Sequence, residues 1–246
     1  MTSFLLATLY APIASWGEIA VGERRTSWDR PSRSALLGLV GAALGIDRED
    51  QAAHDALDTG YGVAVRVDAP GRSIIDYHSA QTLAQPEIKR ARPHTRRALI
   101  RHGERRHRLE TILSWREMRV DAAYTVAIWA REDARWPLAA LAEAMRTPAF
   151  TLYAGRKAHP LGWPLQPAIV EAATLAAALA MRVAPEETVP TRSGRPASVS
   201  CDQDVAVPHG LIAPRIETRR DAAAHRGRWQ FAERRVLTGQ MPEPVQ

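Results

Sequence analysis

Cysteine is nearly absent from this chain of 246 residues, because Cys201 is the only one. A single thiol excludes an intrachain disulfide framework and any metal site built from several thiolates. Lysine is almost missing as well, with Lys89 and Lys157 alone, so the basic side chains are nearly all arginine. No apolar run approaches the roughly 20 residues that cross a bilayer. These absences predict a cytoplasmic globular protein that does not contact a membrane.

Motifs for catalysis are also missing from the sequence. There is no Walker loop and no GxGxxG, HExxH or GxSxG pattern. Such patterns hold phosphates, dinucleotides, metal ions or a nucleophilic serine at fixed spacing. We therefore expect no cofactor, no metal site and no catalytic residue.

One segment, 86–119, carries the positive charge of this chain. It contains eleven Lys and Arg against four Glu, a net +7, whereas the whole chain is only +6 and the remainder is therefore −1. Clustered cations neutralise phosphates and release condensed counterions, and guanidiniums add bidentate phosphate contacts. A solvated charged surface is the alternative interpretation. Because the charge is so localised, we predict a nucleic-acid site that includes five arginines: Arg97, Arg101, Arg105, Arg106 and Arg108.

Hydrophobic periodicity predicts mixed strands and helices over the first 160 residues. Strands are expected at 4–10, 61–67, 73–78, 124–129 and 150–153, and helices at 31–45, from Asp47 to about residue 58, and at 137–145. The basic segment interrupts this pattern between two strands, which is typical of an inserted hairpin or arm. The element order predicts an α+β fold, a ferredoxin-like sandwich at 1–160 with a long insertion at about 79–119. A smaller, mainly β region is expected at 161–246.

The helix at 31–45 has an unusual small-residue face. Ser34, Gly38, Gly41 and Gly45 fall on one side at spacings of three and four. Each interior glycine costs roughly 1 kcal/mol relative to alanine, so close approach of another group must offset that cost. A sheet, a second helix and an RNA backbone are all candidates for that group.

The turn GRKAHP at 155–160 is a second candidate phosphate site. Gly155 permits a tight backbone turn, and Arg156 and Lys157 place two cations beside exposed amides. Three aromatic residues are candidates for stacking on unpaired bases, at roughly 1–3 kcal/mol each: Trp16, Trp28 and Tyr153. Three other tryptophans are expected in the core: Trp115, Trp129 and Trp136.

Five segments, taken in order, resemble a known family. They are APIASWG at 11–17, PSRSALLGLVGAALGI at 31–46, IDYH at 75–78, ETILSWREMRVDAAYTVAIW at 110–129 and YAGRKAHPL at 153–161. Over nearly its whole length, and most weakly at 165–220, the chain is similar to the CasD family, subunits of the type I-E CRISPR surveillance complex Cascade.

The resemblance implies an RNA-recognition-type domain in which the basic insertion is a thumb. It implies a non-catalytic subunit in antiviral defence that caps crRNA at its 5′ end and holds the repeat-derived 5′ handle. The implied partners are crRNA, an adjacent backbone subunit and the large PAM-reading subunit, with target DNA reached only through the complex. The implied handle contacts are Trp16, Gly17, Arg33, Ser34, Tyr153, Gly155, Arg156 and Lys157.

The related type I-C subunits suggest an alternative function, metal-independent endoribonuclease cleavage of CRISPR repeat RNA. Such cleavage needs a base near the 2′-hydroxyl and a cation near the phosphate. The candidates in this chain are Tyr77, His78, His102 and His107.

Overall fold

The computed structural model of the protein describes residues 1–17, 20, 22–106, 109–182, 196–225, 228 and 230–243. The strands are β1 (Thr2–Ala14), β2 (Arg24–Arg25), β3 (Tyr61–Leu83), β4 (Leu109–Ala130), β5 (Ala168–Ala172), β6 (Ser198–Cys201), β7 (Ile212–His225) and β8 (Gln230–Gln240). The helices are α1 (Arg33–Leu44), α2 (Gln51–Gly60), α3 (Gln85–Ala91), α4 (Arg96–Arg106), α5 (Leu138–Arg146) and α6 (Leu175–Ala180). None of these helices has the length and apolarity needed to cross a membrane.

The strands form one sheet in the order β5-β1-β4-β3-β6-β8-β7, and β2 pairs with β4 in parallel. The pairs β1–β4, β1–β5, β3–β6, β6–β8 and β7–β8 are antiparallel. Helices and an antiparallel sheet in one chain confirm the predicted α+β class. The ferredoxin-like arrangement and the thumb remain predictions.

Contacts group the chain into two compact units. The first unit comprises residues 1–16, 28–73 and 119–246, and the second comprises 17–27 and 74–118. The second unit holds α3 and α4 and includes most of the predicted insertion at 79–119. Strands β5 to β8 belong to the first unit, and the predicted domain boundary near residue 160 stays a prediction.

Strand β1 contributes to the two largest hydrophobic clusters of the first unit. Its side chains alternate, so that Leu5 and Leu9 join the cluster formed with α1, α2 and α5, whereas Phe4 and Leu6 join the cluster formed with α6 and β6. Phe4 meets Trp129 edge to face, with ring centroids 6.1 Å apart. Because both faces of β1 are buried, most of its residues are apolar and the sequence does not alternate with polar residues.

Three expected elements differ from the structure. The strands expected at 61–67 and 73–78 are one continuous β3, in which Gly71 has a φ of 62°. The strand expected at 150–153 is wrong, since only an isolated bridge joins Tyr153 to Pro160. Helix α2 is capped by Asp50, whose side chain accepts from the Ala53 amide at 3.0 Å, and not by Asp47.

Helix α1 has the predicted termini, and one glycine of its small-residue face packs against a second helix. Ser32 caps its start, and Gly45 ends it with a φ of 76°. A Cβ built at Gly41 would lie 3.4 Å from Leu57 and 3.5 Å from His54, both on α2. At Gly41 this face therefore packs closely against α2 inside the chain.

The single cysteine also serves the core. Cys201 is 2% exposed on β6, and burial raises the pKa of its thiol to about 12. The thiol is therefore protonated and unreactive at neutral pH.

A buried cluster of opposite charges joins distant parts of the first unit. The Asp202 carboxylate pairs with Arg33, with Arg234 at 2.6 Å and with Arg131 at 3.3 Å. It also accepts a hydrogen bond from the Val63 amide at 3.1 Å. Burial raises the pKa of Asp202, and the three guanidiniums oppose that rise. Removing one partner from such a cluster leaves charge buried without compensation.

We expect Arg33→Ala to lower the free energy of unfolding by about 3–5 kcal/mol, because it breaks a buried charge pair. Chemical denaturation of the purified chain measures this loss. Arg90→Ala is the matched control, because Arg90 is 65% exposed and 4.0 Å from Glu87, and such pairs contribute about 0–1 kcal/mol. Equal effects of the two substitutions would show that the Asp202 cluster does not stabilise the fold.

Candidate nucleic-acid interface

Helix α4 presents a stripe of arginines to solvent. Arg97, Arg101 and Arg105 are exposed, and their spacing of four residues places them along one face. Like charges at this spacing repel, so the stripe favours an anionic partner that spans several helical turns. Arg106 and Arg108 are the other two predicted contacts. Arg106 is the last residue of α4, and the structure does not describe its side chain. Arg108 is not among the described residues.

Local hydrogen bonds explain how this charged sequence stays helical. The Thr95 hydroxyl accepts from the Ala98 amide at 3.1 Å and caps the first turn. On α3, the buried Glu87 carboxylate lies 3.7 Å from Nε2 of His102. Helices α3 and α4 therefore lie close together at this point of the second unit.

Trp16 and Arg33, two of the predicted handle contacts, have side chains that are buried in the first unit. Trp16 is 3% exposed and donates from Nε1 to the Tyr124 hydroxyl at 3.0 Å. Arg33 is 5% exposed, and its guanidinium also donates to Asp58 at 3.2 Å and to the Tyr61 carbonyl at 3.0 Å. Both polar groups are satisfied inside the first unit, so neither reaches a ligand without opening the core.

Gly17 and Ser34 are more accessible than these two residues. Gly17 is exposed and forms an isolated bridge with Ser27 in the second unit. Ser34 is half-buried in the first turn of α1, with its hydroxyl 3.1 Å from that of Ser32. Their contact with RNA stays a prediction.

The GRKAHP turn is held against the end of β1 by its backbone. The Ser15 amide donates to the Ala154 carbonyl at 3.1 Å, and the Ala154 amide donates to the His159 carbonyl at 2.8 Å. Gly155 has a φ of 84°, and a Cβ there would lie 1.9 Å from the Ser15 carbonyl oxygen. The position thus requires glycine for both its backbone conformation and its lack of a side chain.

The accessible groups of this turn are a cation and an aromatic ring. Lys157 is exposed, Tyr153 is 37% exposed, and Arg156 is half-buried. His159 is 6% exposed, and burial together with the nearby Arg156 charge lowers the pKa of its imidazole. His159 is therefore neutral at pH 7, and the positive charge of the turn comes from Arg156 and Lys157.

The candidate nuclease residues have different surroundings in the described structure. Tyr77 packs against Trp115, with ring centroids 5.4 Å apart. His102 faces Glu87 from α4, and His78 is exposed on β3. His107 lies outside the described residues. Among the residues that the structure describes, no group of His, Cys, Asp or Glu is arranged to hold a metal ion.

Trp115 is the residue that sequence reasoning placed wrongly. The prediction assigned it to the core, but it is 38% exposed on β4 and paired in register with Arg24 of β2. The signal available in the sequence was its position beside Arg116 in a strongly basic segment. Alternation in β4 alone could not distinguish a covered face from an open one.

Comparison with known proteins identifies the family. The model for the family described as CRISPR-associated protein (Cas_Cas5) matches residues 4–237. The chain belongs to this Cas5 family. A Cas5 relative, "CRISPR system Cascade subunit CasD" from Escherichia coli (strain K12), is 34% identical over 173 residues, which cover 67% of this chain and 70% of that relative.

Two solved structures share the Cas5 fold of this chain. A chain of a structure titled "CRISPR RNA-guided surveillance complex" matches with a TM-score of 0.64 and 23% identity, over 98% of this chain and 91% of that chain. A second, titled "Crystal structure of Cas protein", matches with a TM-score of 0.57 and 22% identity, over 98% and 95%. At these identities the matches show the fold alone.

We expect Gly155→Ala to destabilise the chain by more than the roughly 1–2 kcal/mol that a left-handed backbone costs an L-residue. The reason is the added clash with the Ser15 carbonyl oxygen. Gly22→Ala is the control, because Gly22 has a similar φ of 69° with nothing within 4 Å of its Cβ position. Thermal or chemical denaturation compares the two, and an equal loss would mean that the turn does not depend on close approach to Ser15.

Proposed function

We propose that this chain is a non-catalytic subunit of a CRISPR RNA-guided surveillance complex, in which it binds the 5′ handle of crRNA. Its membership of the Cas5 family, with a relative named as a Cascade subunit, is the observation that carries the proposal. The charge distribution supports it independently. The second unit has twelve Lys and Arg against seven Asp and Glu, so it carries +5 of the chain's +6.

The α4 stripe binds the phosphates of the handle in this proposal. Arg97, Arg101 and Arg105 are exposed on one helical face, where guanidiniums form bidentate contacts with phosphate oxygens. A single-stranded handle also displays unstacked bases and 2′-hydroxyls, which allow a protein to distinguish it from other RNA. Guide pairing with the target supplies the remaining sequence specificity.

The GRKAHP turn provides a second, smaller contact. Lys157 is exposed there as a point charge, and Tyr153 offers part of a ring for stacking. The turn is rigid because Gly155 lies directly against Ser15. A rigid contact costs less conformational entropy on binding than a mobile loop.

The partners that follow from this role are an adjacent backbone subunit and the large PAM-reading subunit, with target DNA reached through the complex. The cytoplasm is the compartment of such a complex. Cleavage of repeat RNA is not part of the proposal, since His102 faces Glu87 and Tyr77 packs against Trp115.

The direct test is to purify the tagged chain from its host and map the 5′ ends of the RNA that accompanies it. We expect uniform 5′ ends within a CRISPR repeat, each followed by a spacer. Heterogeneous RNA, or no RNA, would contradict the proposed function. Incubating the purified chain with repeat RNA in the presence of excess EDTA tests the nuclease alternative. We expect no cleavage product.

Replacing Arg97, Arg101 and Arg105 together by alanine should weaken binding of handle RNA and reduce its salt dependence. Each lost phosphate contact lowers the slope of log K against log salt by about 0.7 for single strands, so the triple variant should lose about 2. Titration at several salt concentrations measures both effects.

The matched control removes the same charge from the first unit. Arg215, Arg220 and Arg235 are exposed on β7 and β8, and their triple alanine variant should bind handle RNA with nearly the original salt slope. If the slope of log K against log salt falls equally in both triple variants, binding depends on net charge and not on the α4 stripe.

A further inference from the structure

Two aromatic side chains of the second unit are exposed to solvent and contact each other. Tyr77 on β3 is 56% exposed and Trp115 on β4 is 38% exposed. Their ring centroids are 5.4 Å apart, with the planes inclined by 55°. The pair does not serve a buried core, since both rings keep much of their area in water. Two exposed aromatic rings in contact form a contiguous apolar patch, which is a feature of interaction surfaces.

An arginine borders this aromatic pair. Arg24 of β2 is paired in register with Trp115. Residues directly paired across neighbouring strands project to the same face of a sheet, so the side chains of Arg24 and Trp115 share one face. Arg24 is exposed, and within the described part of the chain no carboxylate lies within 4 Å of its guanidinium.

Charge decides which kind of partner this surface fits. The second unit has a net charge of +5, and its exposed arginines include the α4 stripe. A surface that combines aromatic rings with unpaired cations matches single-stranded nucleic acid, because bases stack on the rings and phosphates meet the cations. An apolar protein partner would leave the Arg24 charge desolvated without compensation.

We propose that Trp115, Tyr77 and Arg24 form a platform on which one unpaired base of the bound RNA stacks, with Arg24 contacting an adjoining phosphate. The proposal rests on the proposed function, because it takes the crRNA handle as the RNA. It assigns the RNA a base-stacking contact at a defined site, which the positive charge of the second unit alone does not provide.

The geometry of the pair determines how the base binds. Tyr77 and Trp115 already touch, so the base does not insert between them. It stacks on the outer, exposed face of the pair, where the indole of Trp115 offers the larger surface. Because Arg24 shares the face of the indole, its guanidinium can add a cation–π contribution to a stacked base. Stacking of this kind tolerates any base, so the platform fixes the path of the strand rather than its sequence.

The test uses the full chain and the handle RNA of its own CRISPR repeat, with 2-aminopurine placed at each handle position in turn. We expect stacking on the platform to quench fluorescence at one position. Trp115→Ala should abolish that quenching and weaken binding about five- to hundredfold, the range expected for one lost stacking contact. Trp115→Phe should retain part of both, because a ring remains.

Ile112→Ala is the matched control. Ile112 lies on the same strand, is 55% exposed and is an odd number of residues from Trp115, so it projects to the opposite face of the sheet. We expect the Ile112→Ala variant to quench 2-aminopurine fluorescence and to bind handle RNA as the unmodified chain does.

A series of handle RNAs, each with one abasic nucleotide and each bound to the unmodified protein, decides the question even if Trp115→Ala fails to fold. Only the RNA that is abasic at the quenched position should bind more weakly. The platform is overturned if no abasic position weakens binding, or if a folded Trp115→Ala variant keeps the quenching. It is also overturned if that variant impairs only assembly with protein partners.

Failure of the platform differs from failure of the proposed function. If scrambled RNA binds as tightly as handle RNA, the handle assignment fails, whereas position-dependent quenching by Trp115 in either RNA still supports the platform. If handle RNA binds selectively without quenching, the function stands and the platform is wrong.

Discussion

The buried Asp202 carboxylate is the interaction on which the first unit depends. Three guanidiniums converge on it, from the first residue of α1, from the residue after β4 and from β8. Arg33 and Asp202 are 169 positions apart in the sequence, so a single cluster joins the beginning and the end of the unit. Charges in a low-dielectric interior are costly alone and strongly attracted when paired, so these elements are held in one arrangement. The start of α1, beside which handle contacts were expected, is thereby part of the scaffold.

Arginine therefore has two distinct roles in this protein. In the first unit, buried guanidiniums such as those of Arg33 and Arg66 are paired with carboxylates and backbone carbonyls. In the second unit, the guanidiniums of the α4 stripe are exposed, and their like charges repel one another. The same residue type thus stabilises the fold in one place and forms an exposed positive surface in the other. Net charge alone does not reveal this division, because it counts both kinds equally.

Three kinds of chemistry in this Cas5 chain suit a single-stranded RNA. The α4 stripe offers charge along one face, the turn at Gly155 offers a rigid backbone beside Lys157, and Tyr77 with Trp115 offers aromatic surface. Charge provides affinity and salt dependence, whereas stacking fixes the position of individual nucleotides. The proposed role of holding one end of an RNA benefits from both, since charge by itself permits the strand to slide.

Local chemistry is what the sequence by itself determined. The ends of α1 follow from Ser32 and Gly45, and the glycine at 155 follows from the turn that it makes. The basic segment and the Cas5 family were evident from composition and ordered motifs. Only the tertiary structure decided which polar and aromatic groups are buried, because their partners are distant in sequence. Arg33 needs Asp202 and Trp16 needs Tyr124, 108 positions away, while Trp115 is exposed because no element of the described chain covers its ring fully. Burial depends on long-range packing, which residue type and spacing do not specify.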